Sequence, residues 1–438
     1  MNALAISIFS LLCVVLSPGV ESISCSSHSS RNAGNTLISS REAAKPLTLD
    51  DCVSIALRQN PLLHSSRYLH QAALARVHQA RAFSQPSLDF DSDLQPGFMN
   101  FKGSEESYFG ASQNFEFPGK RALRGKIAAQ EAAQLEMDTE LLKLDITYQV
   151  NEAFYDLLFA QEILKYAQQD LELARDYLQK AEVRFEAGDI AQVEVLRARV
   201  EAAKAENSVR AADNKFKLAR AKLNFLLARK KYEPVEIRGD FKKKMPDLPL
   251  DELKERALAL RPEMKRIDFA LDGEKFRQTL GYLSYLPDFN LGVSRHRFTG
   301  LPTTWDIKLS LSVPLFFWQP LKGQIAEASA NREALDKEKE HTANAISLEV
   351  EEAYTNVLLS GHQIELFEKE ILAQAEETYN KFLFSFQEGE IGGIDLIEAR
   401  RTLIEARKSY AEALFRFTIG LAALERAVGF RLEEKIHD

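Results

Sequence analysis

The stretch Asp306-Ile307-Lys308-Leu309-Ser310-Leu311-Ser312-Val313-Pro314-Leu315 alternates without a break up to its proline. Ile307, Leu309, Leu311, Val313 and Leu315 fall on one side, and Asp306, Lys308, Ser310 and Ser312 on the other. A period of two is the signature of a β-strand with one apolar and one polar face. Just upstream, Phe289, Leu291 and Val293 alternate with Asn290, Gly292 and Ser294, which makes a strand hairpin over about 287–315. The first half of the chain carries a matching hairpin over about 87–117. There Leu88, Phe90 and Leu94 alternate with Asp89, Asp91 and Asp93, while Phe109, Ala111, Phe115 and Phe117 lie opposite Tyr108, Gly110, Ser112, Asn114 and Glu116. Runs of about 9–11 residues are the length a tilted transmembrane strand needs. An ordinary half-buried sheet packed on helices gives the same alternation. In lipid, however, every backbone group must be paired, so a membrane sheet has to close. Four strands cannot close a barrel. Eight would leave an interior filled with side chains, whereas twelve, pooled from three chains, leave room for a channel.

Outward from the strands the chain repeats itself. Pro61 recurs as Pro262, Pro86 as Pro287, and Phe185-Glu186-Ala187-Gly188-Asp189-Ile190 as Phe386-Gln387-Glu388-Gly389-Glu390-Ile391, all at a spacing of 201 residues. So long a period marks a duplicated domain rather than a solenoid of short units. The first repeat covers 47–228 and the second 250–429. Between them 229–249 is a linker with Pro234, Gly239, Pro246 and Pro249, and 430–438 form a tail. Each repeat reads as a helix (Leu49 to about Ser84, or about Leu250 to Ser284), two strands, a very long helix, a glycine turn and a further helix. Thr48 and Asp51 have capping-box spacing. The long helices run from about Arg121 to Glu186 and from about Leu321 to Glu388, and the return helices from about Val193 to Ala228 and Ile394 to Val428. Such a long helix spans roughly 100 Å at 1.5 Å per residue, more than a globular domain holds. Heptad-like spacing of Leu414, Phe417, Leu421, Leu424 and Val428, and of Phe216, Ala219, Leu223 and Leu226, predicts coiled-coil packing. An exported coiled-coil structural protein without pore activity would share the helices, but not the alternating strands or the duplication.

Of 438 residues, 45% are hydrophobic and 27% charged, with a formal net charge of -8 and no basic arm, which argues against a nucleic-acid partner. Ala3 to Val20 is apolar, is broken at Pro18-Gly19 and gives way to small and polar residues; this predicts a secretory signal peptide over 1–24. Cys13 would leave with it. Cys25 would stand at the mature terminus as an acylation candidate, although Ser22-Ile23-Ser24 matches such a site poorly. Cys52 reads as a small core residue. No later run reaches about 18 apolar residues. There is no phosphate loop, nucleophile elbow or paired-histidine motif, and His64, His70 and His78 lack ligand spacing. Catalytic residues, cofactor sites and metal sites are therefore all assigned as none.

The opening Leu47-Thr48-Leu49-Asp50-Asp51-Cys52-Val53 through Asn60-Pro61 resembles the first helix of the TolC-like outer-membrane efflux family. The segment Gln113-Asn114-Phe115-Glu116-Phe117-Pro118-Gly119-Lys120-Arg121, with Arg124, resembles its cobalt–zinc–cadmium resistance branch. The resemblance implies a mainly α, duplicated chain whose coiled-coil helices build a periplasmic α-barrel. Its four strands would enter a twelve-stranded trimeric barrel in the outer membrane of a Gram-negative cell. It implies a passive duct for heavy-metal cations, working with a periplasmic adaptor protein and an inner-membrane pump of the resistance-nodulation-division (RND) type. Drug efflux or type I protein secretion by the same fold are the competing cargoes. The family's acidic aperture ring maps to Asp395 and Glu398, three apart on one helix face. The family's latch tyrosine and arginine are replaced by Phe386 and Ile391, which suggests an apolar seal, while Glu194 matches a latch acid without its partner. The turns at Gly188, Asp189, Gly389 and Glu390 are the expected adaptor-docking end. Pro118 and Gly119 are expected to end the strand, with Lys120, Arg121 and Arg124 facing head groups or the adjacent periplasm.

Overall fold

A computed structural model describes residues 46–93, 105–229, 235–244, 249–316 and 320–432. The expected signal peptide, Cys25, Leu94, Pro234, Pro246 and the end of the tail lie outside the described residues.

The element order is α1 (Leu49–Gln59), α2 (Pro61–Ala80), β1 (Ser87–Asp93), β2 (Glu106–Phe115), α3 (Lys120–Glu186) and α4 (Gln192–Leu226). Then follow α5 (Leu250–Leu260), α6 (Pro262–Leu283), β3 (Asp288–Phe298), β4 (Thr304–Ser312), α7 (Pro320–Leu366), a π-helical turn (Phe367–Ile371), α8 (Leu372–Gln387) and α9 (Gly393–Val428). Thr48 and Asp51 close a reciprocal capping box at the start of α1. The single opening helix expected in each repeat is in fact two. Asn60 and Arg261 sit at ψ 122° and 128° because each precedes a proline, which excludes the helical conformation. Asn60 then caps α2 by accepting from the Leu62 amide at 2.9 Å. At the π-turn, Lys243 of the linker donates to Glu368 at 2.8 Å and to the Tyr410 hydroxyl at 3.0 Å, pinning the linker to the long helices.

The four strands form one antiparallel sheet in the order β1-β2-β3-β4. β2 and β4 stop short of the expected Phe117 and Leu315. The Phe117 amide donates to the Asp288 carboxylate at 2.7 Å instead of to a ladder, and Pro314 has no N–H to offer. The register aligns Leu88, Ala111, Val293 and Ile307 across one face and Asp91, Tyr108 and His296 across the other. On the apolar face Leu88, Phe90, Phe109, Trp305, Ile307, Leu309 and Leu311 are 60–77% exposed. No helix among the described residues covers them, against the half-buried reading. Toward the hairpin loop the same face carries Arg295 beside Trp305, an interfacial pairing of cation and aromatic.

The helical core is built on small residues. The stripe Ala198, Ala205, Ala212 and Ala219 of α4 packs on α3, so the two backbones approach closely. Larger side chains (Val150, Phe154, Leu157, Leu223 and Leu227) fill the core under α1. A second layer joins α5, α7 and α9 through Leu253, Val350 and Leu424.

Candidate functional site

The far ends of the two helix pairs share one backbone device. Gly188 and Gly389 take φ of 84° and 82°, a left-handed conformation that a side chain would strain. In each turn the residue after the glycine reaches back into the helix: the Asp189 amide donates to the Arg184 carbonyl and the Glu390 amide to the Ser385 carbonyl, both at 2.9 Å.

Around that common frame the second hairpin leans on the first. Phe386 is buried, its ring edge-on to Tyr177 with centroids 5.5 Å apart. Arg184 lies over the same ring at 5.1 Å and donates to the Phe386 carbonyl at 2.7 Å. Ile391 joins this cluster together with Leu396, Ile397 and Leu403. Gly393 opens α9 flush against α3, where a Cβ would stand 2.1 Å from the Tyr177 hydroxyl and 2.9 Å from Glu194 Oε2. Burial, reinforced by the Glu194 carboxylate, pushes the Tyr177 hydroxyl up to about 12. Among the described residues neither that hydroxyl nor Glu194 Oε2 has a hydrogen-bond partner. The other oxygen of Glu194 is held by Arg197 of its own helix at 2.7 Å, not by the second hairpin. Asp395 and Glu398 share an exposed face of α9, and among the described residues the one ion pair there is Glu398 to Arg401 at 3.7 Å.

One functional element escaped the sequence reading. Arg400 is 4% exposed and joins Asp170 of α3 at 2.5 Å to Glu201 of α4 at 3.0 Å. Arg401 and Lys204 complete the shell of Glu201 at 2.8 and 3.0 Å. Burial opposes the ionised form of Glu201. Hydrogen bonds from Lys204 and Arg401, with their charges, outweigh it and hold the carboxyl below the usual range. The signal was present: Arg400 falls on the stripe Leu396–Arg400–Leu403 and Glu201 on Ala198–Glu201–Ala205, charges on apolar faces that must meet each other.

At the opposite end, Pro118 and Gly119 turn the chain from β2 into α3. Gly119 has φ of 104°, and a Cβ there would meet Leu283 at 2.9 Å. Lys120 does not face outward as expected. It is 8% exposed, and its ammonium donates to the Leu286 carbonyl and the Asp288 carboxylate, both at 2.8 Å. The desolvated cation thereby ties the start of α3 to the start of β3. Arg121 stacks on Phe83 at 3.6 Å and Arg124 pairs with Glu116 at 2.6 Å. Among the described residues no group of histidine, cysteine and carboxylate side chains could hold a metal, and no helix is long and apolar enough to cross a membrane.

A sheet whose apolar face no described helix covers, carried on helices of which α3 alone runs about 100 Å, defines an outer-membrane channel with a periplasmic helical extension. The model of the outer membrane efflux protein family matches residues 52–229 and 253–430, one match per repeat, and the chain belongs to that family. It is 27% identical to the cobalt-zinc-cadmium resistance protein CzcC of Cupriavidus metallidurans over 404 residues, covering 89% of this chain and 91% of that protein. The fold matches the crystal structure of CusC at a TM-score of 0.76 and 17% identity, covering 87% of this chain and 92% of the other. It matches the Campylobacter jejuni CmeC outer membrane channel at 0.75 and 17% identity, covering 96% of both. Channels of this family are homotrimeric parts of tripartite efflux pumps and are not enzymes.

Proposed function

We propose that this channel is the exit duct of a tripartite pump for heavy-metal cations. In this reading three copies assemble with a periplasmic adaptor and an inner-membrane RND pump. The observation that carries the cargo is the similarity to a cobalt-zinc-cadmium resistance protein along nine-tenths of the chain. The water-facing side of β1, with Asp89, Asp91 and Asp93, suits a cationic cargo. The two structural repeats act as two hairpins of one wall, joined by the 229–249 linker. The turns at Gly188–Asp189 and Gly389–Glu390 receive the adaptor. Asp395 and Glu398 of the three copies line the aperture, while Phe386 and Ile391, seated on Tyr177, seal it, and the Arg400 network holds the second hairpin against the first.

The cargo is tested by deleting the gene and plating on graded zinc, cobalt and cadmium, with the intact gene supplied in trans as control. Complementable sensitivity to these cations is expected. Unchanged metal tolerance with a new sensitivity to dyes or antibiotics would transfer the duct to a drug pump.

A further inference from the structure

Among the described residues the sheet ends in two unpaired edges, β1 and β4, and their water-facing side chains differ in charge. β1 presents Asp89, Asp91 and Asp93. β4 presents Thr304, Asp306, Lys308, Ser310 and Ser312. Asp306 is already met inside the sheet by His296, 3.7 Å away. Asp89 accepts from the Ser112 hydroxyl at 3.1 Å and so is turned toward β2. Lys308 is exposed and has no ion-pair partner among the described residues.

The register says where a further strand would meet it. Ser87, Ser112, Gly292 and Lys308 form one row across the four strands. Measured from the helix-bearing end of each strand, that row starts at the first residue of β1. It lies three residues from the end of β2, four residues into β3 and four from the end of β4. The row climbs toward the hairpin loops, which is the stagger that closing a sheet requires. Continued at its average rise across the four strands, roughly one residue per strand, the row falls about five residues into a following β1. The period of two leaves only Asp91 and Asp93 there on the water-facing side. On the other face, Lys308 opposite Asp91 sets Leu309 and Leu311 beside the partner's Phe90 and the partner's Leu88, so the apolar band continues.

We propose that β4 of one copy pairs with β1 of the next in the register that puts Lys308 between Asp91 and Asp93 of the partner subunit. This rests on the trimeric reading of the assembly and adds its register. A water-exposed ion pair contributes little to stability. Its effect is on specificity: a slip by two residues toward the helical end strands the lysine beside Asp89, which the β2 serine already holds. Directly opposed residues on antiparallel strands have Cβ atoms about 4.5–5.5 Å apart, close enough for an engineered disulfide after small adjustment.

The test uses the full-length protein purified in detergent, with Lys308→Cys combined in turn with Asp89→Cys, Asp91→Cys or Asp93→Cys. Each variant is oxidised and run on non-reducing gels, with Lys308→Cys alone as control. Covalent dimers and trimers are expected with Asp91→Cys or Asp93→Cys and not with Asp89→Cys. In a second arm, Lys308→Asp lowers the temperature at which the trimer separates, and adding Asp91→Lys or Asp93→Lys raises it again. A particle of trimeric mass that links through Asp89→Cys, or through none of the three, overturns the register while leaving the assembly standing. A particle of monomeric mass overturns the assembly reading itself.

Discussion

The two hairpin ends share a backbone and differ in what their side chains touch. Gly188 and Gly389 make the same left-handed turn. Yet Phe185 before the first is 42% exposed, and its counterpart Phe386 is 3% exposed. Arg199 pairs with Glu182 at the surface, while its counterpart Arg400 is buried between Asp170 and Glu201. Gln192 opens α4 in the open, while its counterpart Gly393 opens α9 under the Tyr177 hydroxyl. Duplication supplied the turn. The contacts then diverged, because among the described residues of one chain only the second hairpin is packed against another hairpin at these positions.

The largest effect that would break this comparison is at the paired arginines. Arg400→Ala takes the buried cation from between Asp170 and Glu201, leaving Glu201 its Arg401 and Lys204 partners, and should cost about 1–3 kcal/mol. Arg199→Ala removes an exposed pair worth roughly 0–1 kcal/mol. Hydrogen exchange along α8 and α9 reads the difference: protection lost with Arg400→Ala and kept with Arg199→Ala. Equal losses would mean that the two hairpins are held alike. The same network has a pH sense. A carboxyl held below its unfolded value stabilises fully above about pH 4.3 and ceases to do so as pH falls through the folded value. Protection of α9 should therefore fall on acidification below that point, and Glu201→Gln should flatten the dependence.

The next effect is expected at the helix starts. Gly393→Ala drives a methyl into the Tyr177 hydroxyl, an overpacking of about 1–3 kcal/mol. Gln192→Ala at the matching position is near neutral. The sharper version adds Tyr177→Phe to Gly393→Ala: deleting the hydroxyl removes the tightest contact, leaves Glu194 Oε2 at the free end of its side chain to shift, and should recover most of the lost melting temperature. If Gly393→Ala melts like the parent, the flush seating of α9 on α3 is not what holds the hairpin.

The division between what could and could not be read from the sequence follows the range of the interactions. The alternation around Ile307 and the recurrence of Gly188 as Gly389 are local and periodic, so strands, turns and duplication were legible. The break at Asn60–Pro61 was equally local, but the helical pattern on both sides of it concealed the change of direction. The partners of Arg400 lie 230 and 199 residues away, and nothing near Arg400 names them. A charge on the Leu396–Leu403 stripe demanded partners, but only the packing of three helices could select them. Lys120 misled for a related reason. A basic run after a strand reads as an outward-facing patch until the fold brings Asp288 beneath it.

The smallest effect on stability, and the one that bears most directly on transport, concerns two positions repeated in both hairpins. The first carries Glu194 and Arg197, which neutralise each other at 2.7 Å. The second carries Asp395 and Glu398 at the equivalent places, both exposed, with only a loose contact from Glu398 to Arg401. The second hairpin therefore presents uncompensated negative charge where the first presents none. Three copies would bring six carboxylates together, a field that draws cations and repels anions. Glu398→Arg rebuilds the first hairpin's pair within the second. Because the site is exposed, the melting temperature should stay within the scatter of surface substitutions, about 0.5 kcal/mol. In bilayer recordings the variant should lose most of its preference for potassium over chloride, and Asp395→Ala with Glu398→Ala should also raise single-channel conductance. Selectivity unchanged in both variants would move the aperture away from α9 and leave the acidic strand face as the seat of cation preference.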